Sequence, residues 1–128
     1  MTAHNELSYA LIERTAGVDM QTTATKVILY TVPTGKTFYP IAVLVTESDL
    51  SLAGLTDVDF GTGALANTWR QAVDLSSMTT ADTDYMEIRG ADVTKYTDCA
   101  AGSEFGLYIN TGSTAAASAV ITVIGLLA

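Results

Sequence analysis

Short runs of β-branched and aromatic residues recur along this chain, separated by clusters of Gly, Ser, Thr and Asp. That spacing predicts an all-β, antiparallel β-sandwich with little helix, because each strand is brief and ends in turn chemistry. Thr25 to Val32 and Thr37 to Thr46 are the clearest strands, and Val58 to Gly61 is a shorter one. In Trp69 to Leu75, the positions Trp69, Val73 and Leu75 share one face, with Arg70 and Asp74 on the other. Asp84 to Arg89 alternates with period two, Met86 and Ile88 against Tyr85, Glu87 and Arg89. Phe105, Leu107 and Ile109 line one side of the next run, and Ala117 to Leu127 closes the chain. An eighth element lies near the start, where the pattern fits two structures. Leu7, Ala10, Leu11 and Arg14 have helical spacing behind an Asn5 cap, whereas Leu7, Tyr9 and Leu11 alternate with Ser8, Ala10 and Ile12 as a strand would. An arm that orders on a partner is the third reading. The chain therefore divides into residues 1–16, an N-terminal arm or first element, and residues 17–128, the sandwich.

Two strands are apolar on both faces. Tyr39, Ile41, Val43 and Val45 alternate with Phe38, Pro40, Ala42 and Leu44, and Ala119, Ile121, Val123 and Leu127 alternate with Val120, Ile124 and Leu126. A two-layer sandwich covers only one face of each sheet, so such strands need a second cover. Phe38, Tyr39, Ile41, Val43, Val120, Ile124 and Leu126 are thus the expected subunit-interface residues of a homo-oligomer. Composition supports this. The 128 residues are 48% hydrophobic and only 16% charged, so apolar surface has to be hidden somewhere.

Charge narrows the choice of partners. Six Lys and Arg face 14 Asp and Glu, a net charge of -8, and the basic residues Arg14, Lys26, Lys36, Arg70, Arg89 and Lys95 are scattered. A polyanion partner needs clustered cations, so nucleic acid is not expected. Neither is a membrane, because the most apolar stretch, Ala115 to Ala128, falls short of the roughly 20 residues of a spanning helix. The start, MTAHNELSYA, carries no signal-peptide pattern, and the lone Cys99 precludes an intrachain disulfide.

Candidate chemistry is sparse. Gly35-Lys36-Thr37 ends like a phosphate-binding loop, yet the required earlier glycine is Tyr30, and Pro40 interrupts the helix that should follow. A turn accounts better for these residues, with Pro33 at its second position, Thr34 at its third and Gly35 left-handed, closing a bulged hairpin. No cofactor is expected. The only histidine, His4, lies far from any rigid frame, so neither Cys99 nor a serine has an evident base, and no catalytic residues are assigned. Asp57 with Asp59, and Asp82 with Asp84, read as turn and loop carboxylates without metal-ligand spacing. Trp69 fits either a buried core or a sugar-stacking platform.

The segments VILYTVPTGKTFYPIAVLVT, EFGLYINTG and SAVITVIGLLA resemble small virion proteins of tailed bacteriophages, across roughly Thr25 to Ala128. The resemblance implies a capsid decoration (cement) protein of jelly-roll type. Such a protein is non-enzymatic and usually homotrimeric, is made in the host cytoplasm, and is carried on the capsid surface in contact with the major capsid protein. Leu7, Tyr9, Leu11 and Ile12 are then the expected capsid contacts. A tail-fibre, baseplate or lectin-like receptor-binding module is the alternative.

Overall fold

The computed structural model describes residues 8–91 and 97–128, with side chains from residue 12 onward. Eight strands form: β1 (Ser8–Asp19), β2 (Lys26–Thr31), β3 (Phe38–Thr46), β4 (Asp57–Gly61), β5 (Arg70–Val73), β6 (Met86–Arg89), β7 (Glu104–Thr111) and β8 (Ser118–Leu127). Seven of them fall within a few residues of the runs expected from the pattern. None of the described residues is helical, and the ambiguous start is a strand from Ser8. The boundary drawn after residue 16 therefore falls inside β1.

The strands make two antiparallel sheets: sheet A, in the order β1-β8-β3-β6, and sheet B, in the order β2-β7-β4-β5. The antiparallel pairs β1–β8, β2–β7, β3–β6 and β4–β5 are nested. The chain thus resembles one long hairpin, turned at β4–β5 and rolled so that successive pairs alternate between sheets. This is jelly-roll topology.

Between the sheets lie Val43, Val45, Phe60, Leu107, Ile109 and Ile121, all essentially inaccessible. An edge-to-face aromatic series crosses this core from one sheet to the other. Phe38 of sheet A meets Tyr30 at 5.1 Å and Phe105 at 5.9 Å, and Phe105 meets Trp69 at 5.6 Å. Such pairs add about 0.5–1.5 kcal/mol each beyond the area they bury. At the same end, Phe38 and Cys99 exchange both backbone hydrogen bonds, at 2.9 and 2.7 Å.

β3 departs from simple alternation. Its register against β8 shifts between Pro40, opposite Gly125, and Ala42, opposite Ile124. Ile41 is the extra residue, and the strand changes face there. Phe38 points into the core before the bulge, and Val43 and Val45 point into it afterwards. The grouping of Tyr39 and Ile41 with Val43 and Val45 is corrected accordingly. Pro40 has no N–H to give a ladder and sits at this irregularity, where a strand tolerates it.

The Pro33–Lys36 segment is also corrected. The Lys36 N–H donates to the Pro33 carbonyl at 3.2 Å, so Thr34 and Gly35 are the central residues, and Gly35 takes φ +77°. The turn joins β2 of sheet B to β3 of sheet A, making it a corner between sheets and not a hairpin.

Gly125 makes room for this arrangement. A methyl group there would strike the Tyr39 carbonyl oxygen and lie 2.5 Å from Phe38 Cε1. Both neighbours are fixed, one as backbone and one as a buried ring. Gly125→Ala should lower stability by about 1–3 kcal/mol, as overpacked cores do. Thermal unfolding checks this, with an unchanged midpoint as the contrary result.

Candidate interaction surface

Alternation around the bulge decides which side chains sheet A turns away from the core. β3 presents Tyr39, Ala42, Leu44 and Thr46, and β8 presents Val120, Thr122, Ile124 and Leu126. Across the strands these fall in rows: Tyr39 beside Leu126, Ala42 beside Ile124, Leu44 beside Thr122, and Thr46 beside Val120. Tyr39, Ile41, Leu44, Ile124 and Leu126 are partly exposed, and Tyr85, just before β6, is 74% exposed at the rim. The result is a largely apolar outer face spanning the middle of the sheet.

Charges frame this face as two ion pairs together with the carboxylates of Asp19, in register with Ser118, and Asp49, which accepts the Ser118 N–H. Arg14 of β1 is in register with Thr122, and Glu47 follows Thr46, which is opposite Val120. The Arg14–Glu47 ion pair, at 2.8 Å, therefore passes over β8. The bridge lies at the end of β8 where Val120 (7%) and Thr122 (6%) are little exposed on the outward side of their strand. On the β6 edge, the Arg89 guanidinium donates to the Glu87 carboxylate.

The seven residues expected to meet another subunit thus separate. Tyr39, Ile41, Ile124 and Leu126 remain on the outer side of sheet A, and Val120 lies there under the ion pair. Phe38 and Val43 are 0% exposed within the chain's own core and offer nothing to a neighbour. Leu44 belongs with the first group, and the proline in a central strand was the available signal for the bulge that puts it there. Of the expected capsid contacts, Leu7 and the side chains of Tyr9 and Leu11 lie outside the described residues. Ile12 packs against the core.

The outer face of sheet B is polar. Asp57 and Asp59 alternate with the buried Val58 and Phe60, and the Asn110 amide donates to both carboxylates, at 3.2 and 3.1 Å. Asp59 also accepts the Ala72 N–H at 2.9 Å. Lys26 donates to the Glu104 carbonyl at 2.7 Å beside an open depression of about 430 Å³. Elsewhere carboxylates close turns. Asp19 accepts the Thr22 hydroxyl and the Gln21 and Thr22 amides, and these bonds hold its pKa below the usual carboxylate value. Asp74 is lowered by the Ser76 hydroxyl and amide, and Asp84 accepts the Thr80 N–H. Among the described residues, no three His, Cys, Asp or Glu side chains gather as metal ligands would.

The other chemical candidates are structural. Trp69 is 5% exposed and stacked edge-on against Phe105, so its ring is core and not a sugar platform. Trp69→Ala should therefore cost about 3–5 kcal/mol. A melt close to that of the wild type would contradict this placement. Cys99 is 3% exposed, and burial, followed by the Asp98 charge, pushes its thiol up to about 11. At pH 8 the folded chain should react with a disulfide reagent at least about a hundredfold more slowly than the unfolded chain, because the thiolate is the nucleophile. Equal rates would place the thiol outside the core. His4 lies outside the described residues.

No protein-family model matches the sequence, and no curated protein does. Among solved structures, the chain is similar to a chain in the acid-stable capsid structure of Helicobacter pylori bacteriophage KHP30. The TM-score is 0.53 and the identity 12%, over 94% of this chain and 92% of that one. At that identity the likeness is one of fold, and it covers nearly the full length of both chains.

Proposed function

We propose that this chain is a non-enzymatic structural protein of a bacteriophage virion, an oligomeric decoration protein that binds and stabilises the head. The observation carrying this reading is the likeness, nearly end to end in both chains, to a chain of a phage capsid structure. The surfaces agree with it. A decoration protein needs a rigid sandwich, a dry face towards a neighbouring protein, and a hydrated face towards solvent. The aromatic series through the core supplies stiffness, the outer face of sheet A is apolar, and the outer face of sheet B carries Asp57, Asp59, Asn110 and Lys26.

The favoured assembly is a homotrimer, seated on the major capsid protein at the virion surface after synthesis in the host cytoplasm. The residues ahead of β1, together with Tyr9 and Leu11, are the proposed shell contact. Ile12 is left out because it is turned to the core.

Purified protein mixed with preformed heads that lack it should co-sediment with them saturably and raise the temperature at which they open. Light scattering of the free protein should give about 40 kDa, three times the 13.4 kDa chain. Removing residues 1–7 leaves the described strands whole and should weaken head binding at least tenfold. Absence of binding by the full chain would overturn the decoration role.

A further inference from the structure

The depression beside Lys26 lies at one end of the outer face of sheet B, and two glycines make room for it. Gly106 of β7 is in register with Ile28 of β2 on one side and with Gly61 of β4 on the other. Neither glycine carries a side chain, so the sheet is bare backbone between Ile28 and β4. The Lys26 stem occupies part of this space. A Cβ added at Gly106 would lie 3.1 Å from Lys26 Cε, and the ammonium beyond it donates to the Glu104 carbonyl at 2.7 Å.

Two turns wall the depression. One begins the β4–β5 connection, at Thr62 to Ala64, and the other precedes β7, at Gly102 and Ser103. Each passes through a left-handed glycine, Gly63 at φ +82° and Gly102 at φ +83°, so no side chain narrows the opening from either tip. The Thr68 hydroxyl accepts the Thr62 N–H at 2.8 Å and ties the first wall across the neck of its loop.

The groups that meet here suit one kind of ligand. Lys26 brings a cation, Glu104 a carboxylate, and Thr62 and Ser103 bring hydroxyls. An ammonium has three N–H donors, and the Glu104 carbonyl takes one of them. Among the described residues, no carboxylate pairs with Lys26. A simple anion would nevertheless meet Glu104 and a chain of net charge -8, and a cation would meet Lys26. A neutral ligand whose groups both donate and accept meets neither obstacle, and hydroxyls are such groups. The floor adds an apolar element, because Ile28 is 48% exposed and the lysine stem is aliphatic. An apolar face edged with hydroxyls describes a sugar ring. A volume of about 430 Å³ lies within the range of small-ligand sites.

We infer that this depression is a carbohydrate-binding site for a neutral sugar unit of a glycan. Lys26, Glu104, Thr62 and Ser103 meet the sugar hydroxyls, and Ile28 packs against the ring. The inference goes beyond the decoration role and does not depend on it, since the site is complete within one chain.

The test is a titration of 15N-labelled protein, followed by its amide spectrum, with lactose, maltose, mannobiose and chitobiose. Each is taken to about 50 mM, well above a millimolar Kd. At least one should shift the amides of Thr62, Gly63, Gly102 and Ser103 saturably and leave those of β3 and β8 unmoved. Lys26→Met, which keeps the stem and removes the ammonium, should weaken that binding about tenfold, as should Glu104→Gln. Arg14→Met, on sheet A, should not. The same spectra report whether each variant is folded, and Glu104→Gln keeps the test decisive if Lys26→Met is not. No saturable shift with any of the four sugars overturns the inference. So does sugar binding that both site variants retain at full strength. Shifts at these amides with sodium acetate, and none with the sugars, make the depression an anion site, against this inference.

Discussion

β8 carries apolar side chains on both of its faces, and both have to be kept from water. Inward, Ala119, Ile121 and Val123 are at most 1% exposed and pack against sheet B. Outward, Val120, Thr122, Ile124 and Leu126 have no second sheet above them. The molecule meets this requirement in stages. It pairs β8 on both edges, with β1 and β3, so that no backbone polar group along it faces an open edge. It draws the Arg14–Glu47 ion pair across Val120 and Thr122. It leaves Ile124 and Leu126 partly exposed.

The surface ion pair is worth little by itself, since both side chains are at least half exposed and exposed pairs contribute about 0–1 kcal/mol. Its effect is one of cover, because the aliphatic stem of an arginine shields apolar surface as well as carrying charge. The bridge reaches only one end of the strand. The other end, with Ile124, Leu126, Leu44 and Tyr39, lacks such a strap among the described residues. In a decoration protein, a neighbouring protein would complete the cover there.

Much of the fold is legible in the sequence, because strand position follows from runs of β-branched residues and their turn boundaries. Met86 and Ile88 inside, with Tyr85, Glu87 and Arg89 outside, could be read directly from alternation. The failures share one cause, which is that register depends on the partner strand. A bulge at Ile41 moves Val43 from the face of Tyr39 into the core, and Phe38 is held inward by Gly125 on the next strand. The corner at Gly35 reads as a hairpin because turn residues specify a local reversal and not the sheet in which the following strand pairs. The Arg14–Glu47 bridge joins residues 33 apart that are brought together only by pairing through β8. Trp69 could not be placed by type alone, since a core and a binding platform select the same ring.

Beyond the shared fold, the functional reading draws on surfaces. The two outer faces of the sandwich are differently built, one largely apolar, the other polar and hydrogen-bonded. Oxidative footprinting of side chains with hydroxyl radicals, carried out across a dilution series and again with heads added, measures this division directly. Leu44, Ile124, Leu126 and Tyr39 should lose reactivity together as concentration rises or heads are bound, while Ile28 and Tyr108 on sheet B stay constant. Equal labelling of the two faces under every condition would contradict the assignment of sheet A as the face towards a neighbouring protein.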